Sequence, residues 1–118
     1  MALLKVAKLG DPVLRQDTKL VNLKDLNSPD GKLQLLIDNM IDTMRLEDGV
    51  GLAAPQVFES LRLVVVECSF NERYSEAPNI PLTVLVNPSI KYYGEETVLG
   101  WEGCLSLKDL RGLVPRSK

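Results

Sequence analysis

The sequence predicts an α+β fold, with one long helix packed against antiparallel strands, and three observations carry that prediction. First, the apolar residues between Gly31 and Glu47 are Leu33, Leu36, Ile37, Met40, Ile41 and Met44. Their spacing of three and four places them on one face of a helix. Second, the period changes after Gly49, and two strand-length runs come next: β-branched Leu61–Glu67 and the shorter Thr83–Val86. Third, no repeat, low-complexity tract or linker interrupts the 118 residues, a length that suits a single domain spanning 1–118. Helix first and strands afterwards is the α+β order.

Taken in order, Gly10-Asp11-Pro12 reads as a helix start, with Asp11 at the N-cap, Pro12 in the first helical position and a short helical turn through Arg15. Residues 20–31, rich in Asn, Asp, Ser, Pro and Gly, read as loop. Asp30 is the expected cap of the long helix and Gly49 its stop. Met40 and Met44 fall on the apolar stripe, where a thioether fills core space more often than it binds a ligand. Residues 69–81 read as a second loop, and Asn87-Pro88 closes the second strand. Ile90–Tyr93 and Thr97–Trp101 are expected to form a hairpin around Gly94-Glu95-Glu96, with Gly112-Leu113-Val114-Pro115 as a last extended piece. Trp101 and the Tyr92-Tyr93 pair are expected to pack rather than to offer a stacking platform.

Composition narrows the function. A net charge of −2, with both signs interspersed, gives nucleic acid or an anionic membrane little to attract. No apolar run is long enough to span a bilayer, and the lysine-interrupted N-terminus does not form a secretory signal. Two cysteines, Cys68 and Cys104, do not make a disulfide framework, so a reducing, cytoplasmic compartment is expected.

Two segments carry chemistry. In Gly49-Val50-Gly51-Leu52-Ala53-Ala54-Pro55-Gln56 the small residues let another backbone approach closely, and Gln56 brings a donor and an acceptor. Such a segment suits pairing with an extended peptide by strand addition; it equally suits a plain helix C-cap followed by a tight turn. In Glu102-Gly103-Cys104-Leu105-Ser106 the sulfur stands between turn residues. Cys104 has three open roles: metal thiolate, nucleophile or buried thiol. A nucleophile is usually activated by histidine, and zinc sites draw further ligands from Cys and His; the chain contains no histidine. Cys68, at a strand end, reads as a small hydrophobe. Glu102 reads as an anchor for a loop or for a cation such as Arg111, and Arg111 and Arg116 as solvated or paired.

These residues resemble the peptide deformylase family over the whole chain. Gly10-Asp11-Pro12-Val13-Leu14-Arg15 is similar to its N-terminal signature, residues 49–56 to its first active-site motif and residues 102–106 to its second. Arg111 through Val114-Pro115-Arg116 is similar to the family's segment on the C-terminal side of that second motif. The resemblance implies a metal-dependent amidohydrolase, usually with Fe²⁺ (Zn²⁺ or Ni²⁺ as alternatives), that removes the formyl group from N-formylmethionyl peptides. It implies Cys104 as metal ligand, and Gln56 with the Leu105 amide as oxyanion donors. It implies backbone at Val50, Gly51 and Gly103 holding the peptide, with apolar groups around Val50 lining the methionine pocket.

The family's third motif, His-Glu-x-x-His, supplies two more ligands and the base, and it is absent from these 118 residues. The expectation is therefore a deformylase-like fold lacking the C-terminal helix, incomplete at Lys118, that does not turn over by itself. A non-catalytic peptide-binding protein and a truncated gene product are the alternative readings. Leu36, Met40 and Met44 are expected to face water where that helix would pack, with self-association or a second chain covering the groove.

Overall fold

In the computed structural model, residues 2–69 and 77–118 are described; the segment 70–76, part of the predicted loop 69–81, lies outside them. The order of elements is helix α1 (Lys32–Leu46), then strands β1 (Gly51–Ala53), β2 (Leu63–Cys68), β3 (Ile80–Val86), β4 (Thr97–Cys104) and β5 (Leu107–Ser117). This is the predicted α+β class, one helix with antiparallel sheets.

Helix α1 is where sequence and structure agree most closely. Met40 and Met44 are fully buried, beside Leu33 and Ile37 on the same face, against Leu52, Leu63 and Val65 of the sheet. They do not face water as expected. The three-stranded sheet already covers the stripe, and Leu36 at its margin is partly buried. At the N-terminus the capping position is Gly31 (φ 63°), not the expected Asp30; Asp30, one residue earlier, accepts from the Lys32 amide through Oδ1 at 3.0 Å. At the C-terminus Asp48 takes the left-handed conformation (φ 55°). The amides of Asp48 and Gly49 then donate back to Arg45 and Met44 carbonyls at 3.2 and 2.9 Å, a Schellman closure. Gly49 stops the helix, but the left-handed residue is Asp48.

The first sheet has the order β1-β2-β3 and the second pairs β4 with β5, all antiparallel. β2 begins two residues later than the predicted run, and β3 begins earlier, at Ile80. The predicted loop 20–31 contains a 3-10 helix, Leu23–Asn27, whose first turn is capped by Asn22; one short turn carries too little periodicity to stand out among polar residues. Pro12–Arg15 is also 3-10, with Asp11 at its N-cap. Asp11 Oδ2 accepts from the Lys8 amide instead of capping.

The expected hairpin around Gly94-Glu95-Glu96 is not formed. Ile90–Tyr93 is outside any strand. β4 instead pairs with β5, Trp101 opposite Leu113, and the chain reverses at Leu105-Ser106. Trp101, Tyr92 and Tyr93 are exposed rather than packed.

The N-terminal segment ties these layers together. Ala2 and Leu4 amides donate to Asn39 Oδ1 and Thr43 Oγ1 on α1. Further along, Ala7 and Leu9 amides donate to the carbonyls of Gln56 and Ser106. No helix is long and apolar enough to cross a membrane among the described residues.

Candidate active site

Two tight turns meet at one cleft. The first comes after β1: Ala54–Val57 forms a 3-10 helix with Pro55 near its start, and Gln56 turns its side chain back so that Oε1 accepts from the Ala53 amide at 3.0 Å. That bond orients the carboxamide. Its nitrogen then lies 3.6 Å from Cys104 Sγ and 3.2 Å from Ser106 Oγ. The second turn joins β4 to β5. Gly103 pairs with Arg111 but Cys104 with Leu107, so residues 108–110 bulge out of the ladder, with Asp109 in the left-handed region (φ 62°). A bulge re-aims the side chains beside it, and here it brings Cys104 to face Gln56.

All six residues singled out from the sequence, Val50, Gly51, Gln56, Gly103, Cys104 and Leu105, line one cleft of about 220 Å³. The segment 49–56 is therefore neither simple loop nor simple cap. Its centre is an edge strand, β1. The Glu67 amide donates to the Val50 carbonyl, and Gly51 stands opposite Val66. In that antiparallel phase the amide and carbonyl of Gly51 point away from β2, toward the open edge. Larger and more charged space opens on the other side of Cys104 and Leu105, a recess of about 700 Å³ walled by Glu47, Asp48, Lys108 and Asp109.

Three features escaped the sequence reading. A Cβ on Gly49 would stand 2.8 Å from Leu105 Cδ1, so Gly49 makes room for Leu105, which packs against the core. Ser106 is buried and bonds Gln56. Ala7 and Leu9 fix the backbones of both turns. Gly49 and Ser106 stand in the two motifs read from the sequence, Gly49 as a helix stop and small loop residue and Ser106 as a turn residue, but their contacts with Leu105 and Gln56 left no trace there.

Glu102 pairs with Arg116, not with Arg111, through two bonds of 2.7 and 2.8 Å. Those bonds hold the Glu102 carboxyl below its ordinary range and the Arg116 guanidinium above its own. The pair braces the β4–β5 hairpin rather than entering the cleft chemistry. Cys68 is buried at the end of β2, where its thiol donates to the Ser69 carbonyl.

A metal needs more donors than the cleft offers. Cys104 is its one soft ligand, and no group of three His, Cys, Asp or Glu gathers among the described residues. The residues present do not by themselves fit a catalytic ion, which takes about three protein ligands.

Comparison with known proteins defines the class first. The chain superposes with a TM-score of 0.91 on the Met-Ala-Ser-bound crystal structure of a class I type b peptide deformylase from Acinetobacter baumannii, at 43% identity, covering 98% of this chain and 72% of that one. Against peptide deformylase from Thermotoga maritima the TM-score is 0.80 at 35% identity, covering 100% of this chain and 70% of the other. In sequence, it is 46% identical to peptide deformylase 2 of a Nostoc species over 114 residues, 97% of this chain and 62% of the relative. It is 47% identical to peptide deformylase 1 of Bordetella pertussis over 111 residues, 94% of this chain and 61% of the relative. The family model for polypeptide deformylase matches residues 3–118. The chain belongs to the peptide deformylase family, metal-dependent enzymes that remove formyl groups from nascent peptides. It spans about three-fifths of the length of these curated relatives.

Proposed function

We propose that these 118 residues carry the peptide-recognition and oxyanion-binding part of a deformylase site, acting on N-formylmethionyl peptides. The observation that carries the reading is the meeting of Gln56 with Cys104 in the cleft that Gly51 and Gly103 also line. An extended peptide adds to the open edge at Gly51, with Gly103 on the facing side and Val50 beside the methionine side chain. The formyl oxygen then lies toward Gln56 Nε2 and the Leu105 amide. As the formyl carbon becomes tetrahedral, those two donors meet the growing negative charge, where a preorganised N–H is most effective.

A bound ion in this family supplies an activated water, and Cys104 is the residue that would hold it. The ion in the proposal is Fe²⁺, with Zn²⁺ or Ni²⁺ as alternatives. One thiolate does not complete its shell, and the sequence contains no histidine. For a polypeptide of these residues alone the same donor set favours peptide binding without turnover. A general base by itself is typically worth 10²–10⁴ in rate. A reducing, cytoplasmic setting belongs to the proposal, supported by two free cysteines. Self-association is a further part of it, supported by exposed Val98, Leu99, Trp101 and Leu113 on the β4–β5 sheet.

Calorimetric titration tests the recognition claim. Formyl-Met-Ala-Ser is expected to bind more tightly than Met-Ala-Ser, and Gln56→Leu to remove about tenfold of the affinity, a loss of about 1.4 kcal/mol. Equal binding of both peptides, unaffected by Gln56→Leu, would overturn it.

A further inference from the structure

Ser106 has no part in the roles assigned above, yet it is only 6% exposed, and its hydroxyl accepts from Gln56 Nε2 at 3.2 Å. The backbone enforces that meeting. Ala7 donates to the Gln56 carbonyl at 2.6 Å and Leu9 to the Ser106 carbonyl at 3.0 Å. Ala7 and Leu9, the latter inside the Lys8–Asp11 turn, thus each anchor one of the two turns to the same N-terminal segment, which holds them next to each other. A carboxamide nitrogen carries two N–H donors. One is taken by Ser106 Oγ; the other faces Cys104 Sγ at 3.6 Å, in the cleft. Without the hydroxyl, rotation of the carboxamide by half a turn is opposed by the Ala53 amide on Oε1 and by the long contact of Nε2 with the Cys104 sulfur. The rotated side chain would show an oxygen, instead of a donor, to negative charge.

We propose that Ser106 is the positioning residue for Gln56: its hydroxyl occupies one N–H and thereby commits the other to the cleft, where the oxygen of a formyl group is received. This rests on the deformylase reading for its ligand, but the hydrogen-bond lock itself does not.

The test uses the full chain with ¹⁵N-labelled glutamine, the Gln56 side-chain pair being assigned by its loss in Gln56→Leu. In the unmodified protein the two protons are expected to be well separated and slow to exchange. In Ser106→Ala they should move to the free-carboxamide position and exchange at least about tenfold faster, as expected for a lost bond of about 1.4 kcal/mol, while Ser106→Thr keeps them separated. Free-glutamine behaviour in the unmodified protein overturns the proposal whether or not Ser106→Ala folds, and so do unchanged signals in folded Ser106→Ala. With peptide added, Ser106→Ala should weaken formyl-Met-Ala-Ser about fivefold and leave Met-Ala-Ser unchanged; equal effects on both would contradict a role directed at the formyl oxygen. If the unmodified chain binds neither peptide, the deformylase reading fails, and the proton signals alone decide the lock.

Discussion

At Gly49 the missing side chain is a matter of packing rather than of backbone freedom. A methyl there would meet Leu105 Cδ1 at 2.8 Å and Cγ at 3.3 Å, so Leu105 must move, and with it the turn that carries Cys104. Gly49→Ala is expected to cost about 1–3 kcal/mol, the usual range for an overfilled site. Chemical denaturation should show part of that loss recovered in the Gly49→Ala, Leu105→Ala double variant; strict additivity would contradict the contact. The charged residues make a pH prediction. Glu102 is held below its ordinary value of 4.5 by the hydrogen bonds from Arg116, and Glu67 below the same value by those from Arg45. A lowered folded pKa means that the stabilisation is present above 4.5 and is lost as the pH falls below it. Both pairs are partly exposed, so salt should shrink the effect. Glu102→Gln is expected to flatten the acid limb of the stability profile slightly and to leave neutral-pH peptide binding unchanged.

Among the elements, α1 was readable because its stripe repeats through four turns and one face is buried. Met40→Ala should therefore cost about 2–5 kcal/mol, as removal of a buried long side chain does, with thermal unfolding as the measure. The β4–β5 hairpin was not readable, for two physical reasons. Both strands expose large apolar residues, Val98, Leu99 and Trp101 on one, Leu110 and Leu113 on the other, so no alternation marks the buried face. The turn falls at Leu105-Ser106, within the segment read as turn residues around Cys104, but Gly94 offered the stronger Gly signal and drew the expected strand pairing to a place where no turn joins two strands. The cleft residues were legible because two short motifs carry them. Their supports were not: Ser106 lies in the second motif, but its bond to Gln56, like the contacts of Ala7 and Leu9, joins segments distant in sequence. The N-terminal segment gives an independent check at this scale. Thr43 is 2% exposed and its Oγ1 accepts from the Leu4 amide. Thr43→Val should strand that amide, cost about 1–3 kcal/mol, and speed hydrogen exchange at Ala7 and Leu9 while α1 stays protected. Unchanged exchange at those two amides would show that the segment is held by other means.

For the whole molecule the decisive quantity is the number of donors around Cys104. The helix and both sheets place one thiol, one carboxamide and an open strand edge together, which on the proposed reading receives a formylated peptide, while no group of three metal-ligating side chains gathers among the described residues. The most direct measurement is formate release from formyl-Met-Ala-Ser by purified polypeptide of these 118 residues, with added Fe²⁺, Ni²⁺ or Zn²⁺ and with peptide binding followed in the same samples. Binding with no formate above the metal-only control is the predicted result. Metal-dependent turnover that disappears in Cys104→Ser would contradict it.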